Sequence, residues 1–396
     1  MRIGIVKPDF HIIGGAEGLL KRVAGELRRA GHRVSSIPID VKAVSPYPYG
    51  VHISPEAWAR AGNFFRYMGL VEEFSALELG GFDMVVSTQP PSFAARHPRH
   101  VSLFFHHERI YYDLAQVYCD AGYATPPLHT AAVERVRQVD ASRLGEVRTF
   151  LAISEEVQRR LRDYNDLIGN VQLAIPGVDA VDGSDSQEPA PQGHVLCVSR
   201  HEFPKRAELF VHAMKLADPA KGVVVGGGGR LEYVRRLDAW LSSDGSDAAH
   251  IDSRPLWLNT GDVATVPTPA VRRESNVAIL GPVDDERLTE LYRDALCLVA
   301  PAFLEDFGLT ALEAMAHAKP VIVCDDGGHL ARIVQDGVTG FVVPPTAQGI
   351  AAAVQRLRND AGLLRKLGCQ ARERAAEFTW ERFREQLWAG LDTVMG

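Results

Sequence analysis

Two carboxylates bracket a short segment suited to holding a phosphate. Glu305 and Glu313 stand eight positions apart in the run Phe303-Leu304-Glu305-Asp306-Phe307-Gly308-Leu309-Thr310-Ala311-Leu312-Glu313. The apolar stretch 296–300 before it reads as a buried strand, and a helix is predicted to begin at Gly308 or Leu309. A helix N-terminus presents N–H groups without intrahelical acceptors and the positive end of a macrodipole, a combination that suits a pyrophosphate. Gly308 leaves space for an oxygen to approach the backbone, and Leu309 and Thr310 follow it into the first turn. Glu305 precedes the helix and Glu313 lies about one turn inside it. One carboxylate on each side of a phosphate site could grip the hydroxyls on both sides of a sugar nucleotide.

Other groups stand at the ends of predicted strands. Gly14-Gly15 separates the strand 3–6 from an amphipathic helix over 17–30, and its backbone N–H groups can approach a phosphate. The dinucleotide fingerprint Gly-x-Gly-x-x-Gly is absent there. His106-His107 ends the strand 101–105, and ligands of open α/β sheets bind at the carboxyl ends of strands. The doublet leaves open which histidine would serve. Arg200 and Lys205 lie in the loop after the strand 194–199. Gly226-Gly227-Gly228-Gly229 follows the strand 223–225, and Gly281-Pro282-Val283 follows 277–280.

The elements that must position these groups alternate throughout. Short apolar runs at 3–6, 34–39, 84–87, 101–105 and 149–153 interleave with helical patterns, and a second series runs from 194 to 343. Such alternation predicts α/β units with parallel sheets. Ser154-Glu155-Glu156 reads as an N-cap with an acidic first turn. A polar stretch rich in Gly, Pro and Ser over 179–193 reads as a linker between two domains. The stretch 242–275, with a polar Asp-Gly-Ser-Asp and three prolines, reads as a surface insertion. The aromatic-rich 47–81 reads as a helical core stripe, with an acceptor or membrane face as the alternative.

Composition narrows the class. A chain of 396 residues, 46% hydrophobic, can bury two cores. A formal charge of −7 gives no global basic field to attract nucleic acid. Five cysteines without Cys-x-x-Cys spacing, three of them (Cys197, Cys297, Cys324) in apolar runs, read as reduced buried thiols and a cytoplasmic setting. The first residues form a strand, not a signal peptide, and no window approaches 18 apolar residues, so no transmembrane segment is expected. Peripheral membrane contact and oligomeric state stay open. No Asp-x-Asp triplet and no His/Cys cluster of zinc spacing occurs, so no catalytic metal is expected.

The Glu-Asp-Phe-Gly-Leu-Thr-Ala-Leu-Glu stretch resembles the Glu-Phe-Gly-…-Glu motif of retaining GT-B glycosyltransferases of sequence family 4, the glycosyl transferases group 1. The loop Ser199-Arg200-His201-Glu202-Phe203-Pro204-Lys205-Arg206 is similar to that family's Gly-Arg-…-Lys-Gly element, with Ser199 and Arg206 where glycines are usual. The resemblance implies an α/β fold of two Rossmann-like domains whose parallel sheets face each other across a cleft. It implies an acceptor domain over 1–178 completed by a helix at 380–396, the linker 179–193, and a donor domain over 194–379. It implies no cofactor but a nucleoside-diphosphate sugar as donor, linked to UDP or GDP. Arg200 and Lys205 would hold the diphosphate with N–H groups at Gly308–Thr310, neutralising the leaving charge without a metal. Glu313 would bind the ribose, Glu305 the donor sugar and the positive charge at its anomeric carbon, and His106 would orient that sugar. Gly14, Gly15, Gly228 and Gly229 would approach phosphate and nucleotide, and Val283 the base. One departure stands at Gly327-Gly328-His329-Leu330-Ala331-Arg332, where the family has an acidic residue at the position of Arg332.

The expected activity is hexosyl transfer, with retention, to an acceptor hydroxyl. A sugar-nucleotide 2-epimerase of the same architecture and a non-catalytic sugar-nucleotide binder are the rivals. Base, sugar, acceptor and linkage are not legible.

Overall fold

The computed structural model describes residues 1–11, 14–181, 190–243, 247–268 and 274–395. They divide into two compact units, Met1–Gly177 with Trp380–Gly396, and Val178–Thr379. Much of the linker reading at 179–193 falls on 182–189, outside the described residues. Its described flanks are tied to the second unit, where Arg372 donates to the carbonyl of Val181 at 3.2 Å and Arg358 to that of Pro191 at 3.4 Å.

Unit 1 contains β1 (Arg2–Asp9), α1 (Gly15–Arg29), β2 (Arg33–Asp40), α2 (Pro55–Ser75), β3 (Met84–Ser87), β4 (His100–Phe104), α3 (Ala115–Asp120), α4 (Pro126–Leu144), β5 (Thr149–Ala152), α5 (Glu155–Asn165) and β6 (Val171–Leu173). Its sheet has the order β2-β1-β3-β4-β5-β6, with every pair parallel. β3, β4 and β5 are buried along their whole length, as strands covered on both faces must be. α5 starts where expected, because the Ser154 hydroxyl accepts from the N–H of Val157 at 3.1 Å. In α2, Tyr67, Met68, Leu70, Val71 and Phe74 are buried, so the C-terminal part of the aromatic-rich stretch is core, while Tyr47 and Tyr49 are exposed. β6, three half-buried residues at the sheet edge, had no apolar run to announce it.

Unit 2 contains β7 (His194–Val198), α6 (Ala207–Leu216), β8 (Gly222–Val225), α7 (Leu231–Leu241), α8 (Arg254–Trp257), β9 (Val277–Gly281), α9 (Asp285–Asp294), β10 (Ala295–Ala300), α10 (Leu309–Ala316), β11 (Val321–Cys324), α11 (Leu330–Ile333), β12 (Gly340–Val343), α12 (Ala347–Asn359) and α13 (Ala361–Ala375). The order β12-β11-β10-β7-β8-β9 is again wholly parallel. All six residues of β10 are buried. The reading of 242–275 as a surface insertion needs correction: Leu256, Trp257 and Val266 are buried, and Leu256 and Val266 join the main core of the unit.

The chain then returns to unit 1 as α14 (Trp380–Met395). Phe383, Leu387 and Leu391 are buried, Thr393 meets Thr149 of β5 at 2.8 Å, and Gln386 accepts from the N–H of Ile175 at 2.9 Å.

Candidate active site

In unit 2 the strand order reverses between β7 and β10. The chain builds β7, β8 and β9 in one direction, then returns to lay β10 against the other side of β7. The loops leaving two such strands diverge and open a crevice at their carboxyl ends. The loop after β7 carries Arg200 and Lys205, and the loop after β10 carries Glu305. The structure brings two of the three into contact: Lys205 Nζ lies 2.5 Å from Glu305 Oε2, with both side chains largely buried.

Backbone hydrogen bonds hold this pair. Lys205 ends a 3₁₀ turn, Phe203–Lys205, and the N–H of Phe303 donates to the carbonyl of Pro204 at 2.7 Å, joining the two loops. The loop after β11 supports them from the other side. Leu304 donates to the carbonyl of Asp326 at 2.9 Å, Glu305 to that of Gly327 at 3.0 Å, and His329 to that of Glu305 at 2.9 Å. Gly328 has φ +63°, and a Cβ there would lie 2.7 Å from the carbonyl carbon of Leu304 and 2.9 Å from the nitrogen of Glu305. The glycine pair is thus a shelf for the Glu305 backbone. Arg332, at the departure from the family motif, is exposed on α11.

The next turn of chain forms the helix terminus. Gly308 has φ +96°, and a Cβ on it would stand 2.5 Å from Leu330 Cδ2. Only glycine fits this approach, and α10 begins at the next residue. Glu313 faces Tyr292 of α9, whose hydroxyl donates to Glu313 Oε2 at 2.8 Å. Loss of water raises the Glu313 carboxyl to about 7, with the Tyr292 hydrogen bond opposing the rise and Asp179 and Asp285 adding to it.

Arg200 is exposed at the end of β7. The residues after it fold back on the glycine-rich turn: His201 donates to the carbonyl of Gly227 at 2.7 Å, and Glu202 Oε1 accepts from the N–H of Gly229 at 3.1 Å. Gly228 and Gly229 therefore stack on the Arg200 loop, and Val283 is half-buried just past β9. Arg206, where the family motif has glycine, takes φ +55°, the left-handed region that glycine favours. Its guanidinium makes a two-pronged contact with Asp326, at 2.8 and 2.7 Å.

Unit 1 has its own reversal, between β1 and β3. Gly14 and Gly15 are exposed at the start of α1, beyond the carboxyl end of β1. The histidine doublet divides by burial. His107 is 1% exposed, meets Asn165 Oδ1 through Nε2 at 2.7 Å and packs its ring 4.1 Å from that of Tyr112. His106 is half-buried past the end of β4, with Nδ1 2.6 Å from the carbonyl of His107. His106 is the more exposed of the two. Sequence reasoning missed Gln89, buried just beyond the carboxyl end of β3, because nothing in Ser87-Thr88-Gln89 distinguishes it from other strand-end polar residues. It also missed Asp326 and Tyr292, whose signal was only a polar residue after β11 and an aromatic in the last turn of α9. Among the described residues, no group of three or more His, Cys, Asp or Glu could hold a metal. No described helix is long and apolar enough to cross a membrane.

Residues 270–374, within unit 2, match the profile described as glycosyl transferases group 1. That segment carries the likeness to the family. A D-inositol 3-phosphate glycosyltransferase of Nocardia farcinica is 41% identical over 113 residues, 28% of this chain and 25% of that protein. The chain spans a quarter to about half the length of the curated relatives it matches. Among solved structures, sucrose-phosphate synthase from Thermosynechococcus elongatus superposes with a TM-score of 0.69 at 21% identity, over 98% of this chain and 97% of that one. The Anabaena protein HepE, solved with UDP and glucose, gives 0.65 at 16% identity over 98% and 99%. These likenesses establish the GT-B fold for the chain.

Proposed function

We propose that the chain transfers a sugar from a nucleoside-diphosphate donor, linked to UDP or GDP, to an acceptor hydroxyl with retention and without a metal. The observation that carries the reading is the Lys205–Glu305 contact at the reversal between β7 and β10, beside the α10 terminus. A cation, a carboxylate and a helix N-terminus in one crevice suit a diphosphate joined to a sugar. HepE, of the same fold, holds UDP and glucose, which supports such a donor.

In this reading Lys205, now paired with Glu305, turns to share the diphosphate with Arg200 and the N–H groups at Gly308–Thr310. Glu305 then faces the donor sugar, where its charge counts most as the anomeric carbon becomes cationic. Glu313 accepts from the ribose hydroxyls, and Gly228, Gly229 and Val283 line the nucleoside. Departure and attack on one face, with the leaving phosphate oxygen taking the acceptor proton, account for retention without a protein nucleophile.

A thermal-shift panel of nucleoside diphosphates and sugar nucleotides tests the donor claim. A true ligand at about 100 times its dissociation constant adds roughly 2.7 kcal/mol of stability. Nucleoside diphosphate released only in the presence of an acceptor separates transfer from epimerisation and from passive binding. No stabilisation by any member of the panel would overturn the reading.

A further inference from the structure

Arg206 departs from the family motif, yet it is among the most deliberately held side chains in unit 2. It is 2% exposed. Its backbone sits at φ +55°, between the turn that ends at Lys205 and the start of α6. For a residue with a Cβ, that conformation costs about 1 kcal/mol or more, so the side chain must return more than it costs. Its guanidinium lies 4.0 Å from the centre of the Trp257 ring and 4.8 Å from that of Phe303, and pairs through both terminal nitrogens with Asp326.

These partners come from three separate segments. Trp257 ends α8. Phe303 lies two residues before Glu305. Asp326 is the residue whose carbonyl receives the N–H of Leu304. Arg206 itself follows Lys205 directly. One planar, permanently charged group thus ties the segment bearing Lys205 to the segment bearing Glu305 and to the shelf beneath it.

We propose that Arg206 is a positioning residue of the donor site: by clamping Asp326, Trp257 and Phe303 it fixes the spacing of Lys205 and Glu305 without touching the donor. The inference rests on the donor reading given above for its role in binding, but the clamp itself can be measured without a ligand.

Arg206→Gly is a clean perturbation, because glycine accepts φ +55° without strain and removes only the side chain. The first measurement is a double-mutant cycle, Lys205→Ala and Glu305→Ala, followed by urea unfolding of the full chain in the wild-type and Arg206→Gly backgrounds. Coupling between Lys205 and Glu305 is expected in the wild type and lost in Arg206→Gly. Equal coupling in both backgrounds overturns the clamp. The second measurement is calorimetric titration with UDP, GDP and their nucleosides. Arg206→Gly should weaken the diphosphate that the wild type binds by about tenfold, with the nucleoside within twofold. Asp326→Asn should act in the same direction, the double variant should be no worse than the poorer single variant, and Arg206→Lys, which lacks the fork, should recover only part of the loss. Equal losses for diphosphate and nucleoside, or none for either, overturn the positioning role. A wild type that binds neither diphosphate sinks the donor reading, while the unfolding cycle still decides the clamp.

Discussion

Replacing Glu313 by glutamine asks whether a carboxylate is kept for binding at a cost in stability. Loss of water around Glu313 lifts its carboxyl from 4.5 to about 7. In the unfolded chain the same group titrates near its ordinary value. Between these limits the native state holds a proton that the unfolded state has released. Stability therefore falls as pH rises from about 4.5 to about 7, and stays reduced above that. A span of roughly two and a half units at about 1.4 kcal/mol each sets an upper bound near 3.5 kcal/mol, and partial access to water brings the expected effect to about 1–2 kcal/mol. Glutamine keeps an acceptor for the Tyr292 hydroxyl and cannot ionise. Glu313→Gln should nearly match the wild type at pH 5 and exceed it by about 1–2 kcal/mol at pH 8 in urea unfolding. Burial also raises Asp140 and Glu108 to about 7, but both titrate in either protein and cancel in the difference. The same variant should bind nucleoside more weakly, because a neutral amide accepts ribose hydroxyls less strongly than a carboxylate. A stability difference that is constant from pH 5 to 8, or a variant less stable than the wild type at pH 8, refutes the reasoning.

Other outcomes follow from the same geometry. Gly308→Ala should cost about 2–5 kcal/mol in chemical unfolding, since it adds left-handed strain to an overpacked contact with Leu330; a loss below about 1 kcal/mol would mean that α10 shifts freely. Glu305→Gln should abolish most turnover while donor affinity, read by calorimetry, stays within a few-fold, and unchanged turnover removes Glu305 from the chemistry. Activity should survive EDTA; a loss restored by magnesium or manganese would show that the diphosphate charge is not met by Arg200, Lys205 and the α10 terminus alone.

The strands that position the site were readable because burial on both faces forces unbroken apolar runs, as in β10 and β11. The edge strand β6 escaped because a half-exposed Val-Gln-Leu carries no such run. Around the site, Glu305, Gly308 and Glu313 were legible from spacing along one strand, loop and helix. The Lys205–Glu305 contact was not, since 100 residues separate the two and only the sheet order brings their loops together. Trp257 was misread for a related reason. It ends the four-residue helix α8, which is too short for burial to leave a period in the sequence.

The return of α14 to unit 1 sets an order of synthesis. α14 covers β5, where Gly390 faces Leu151 so closely that a Cβ would stand 2.2 Å from Leu151 Cδ2. That cover is translated only after all of unit 2, which spans Val178–Thr379. At about 5–20 residues per second, the ribosome needs roughly 10–40 s to pass from the last residue of the first segment to the first turn of α14. For that interval the nascent unit 1 has its six strands but an unsealed apolar face at β5, the kind of surface that recruits chaperones or misassociates. Unit 2, being continuous in sequence, can close as soon as it emerges.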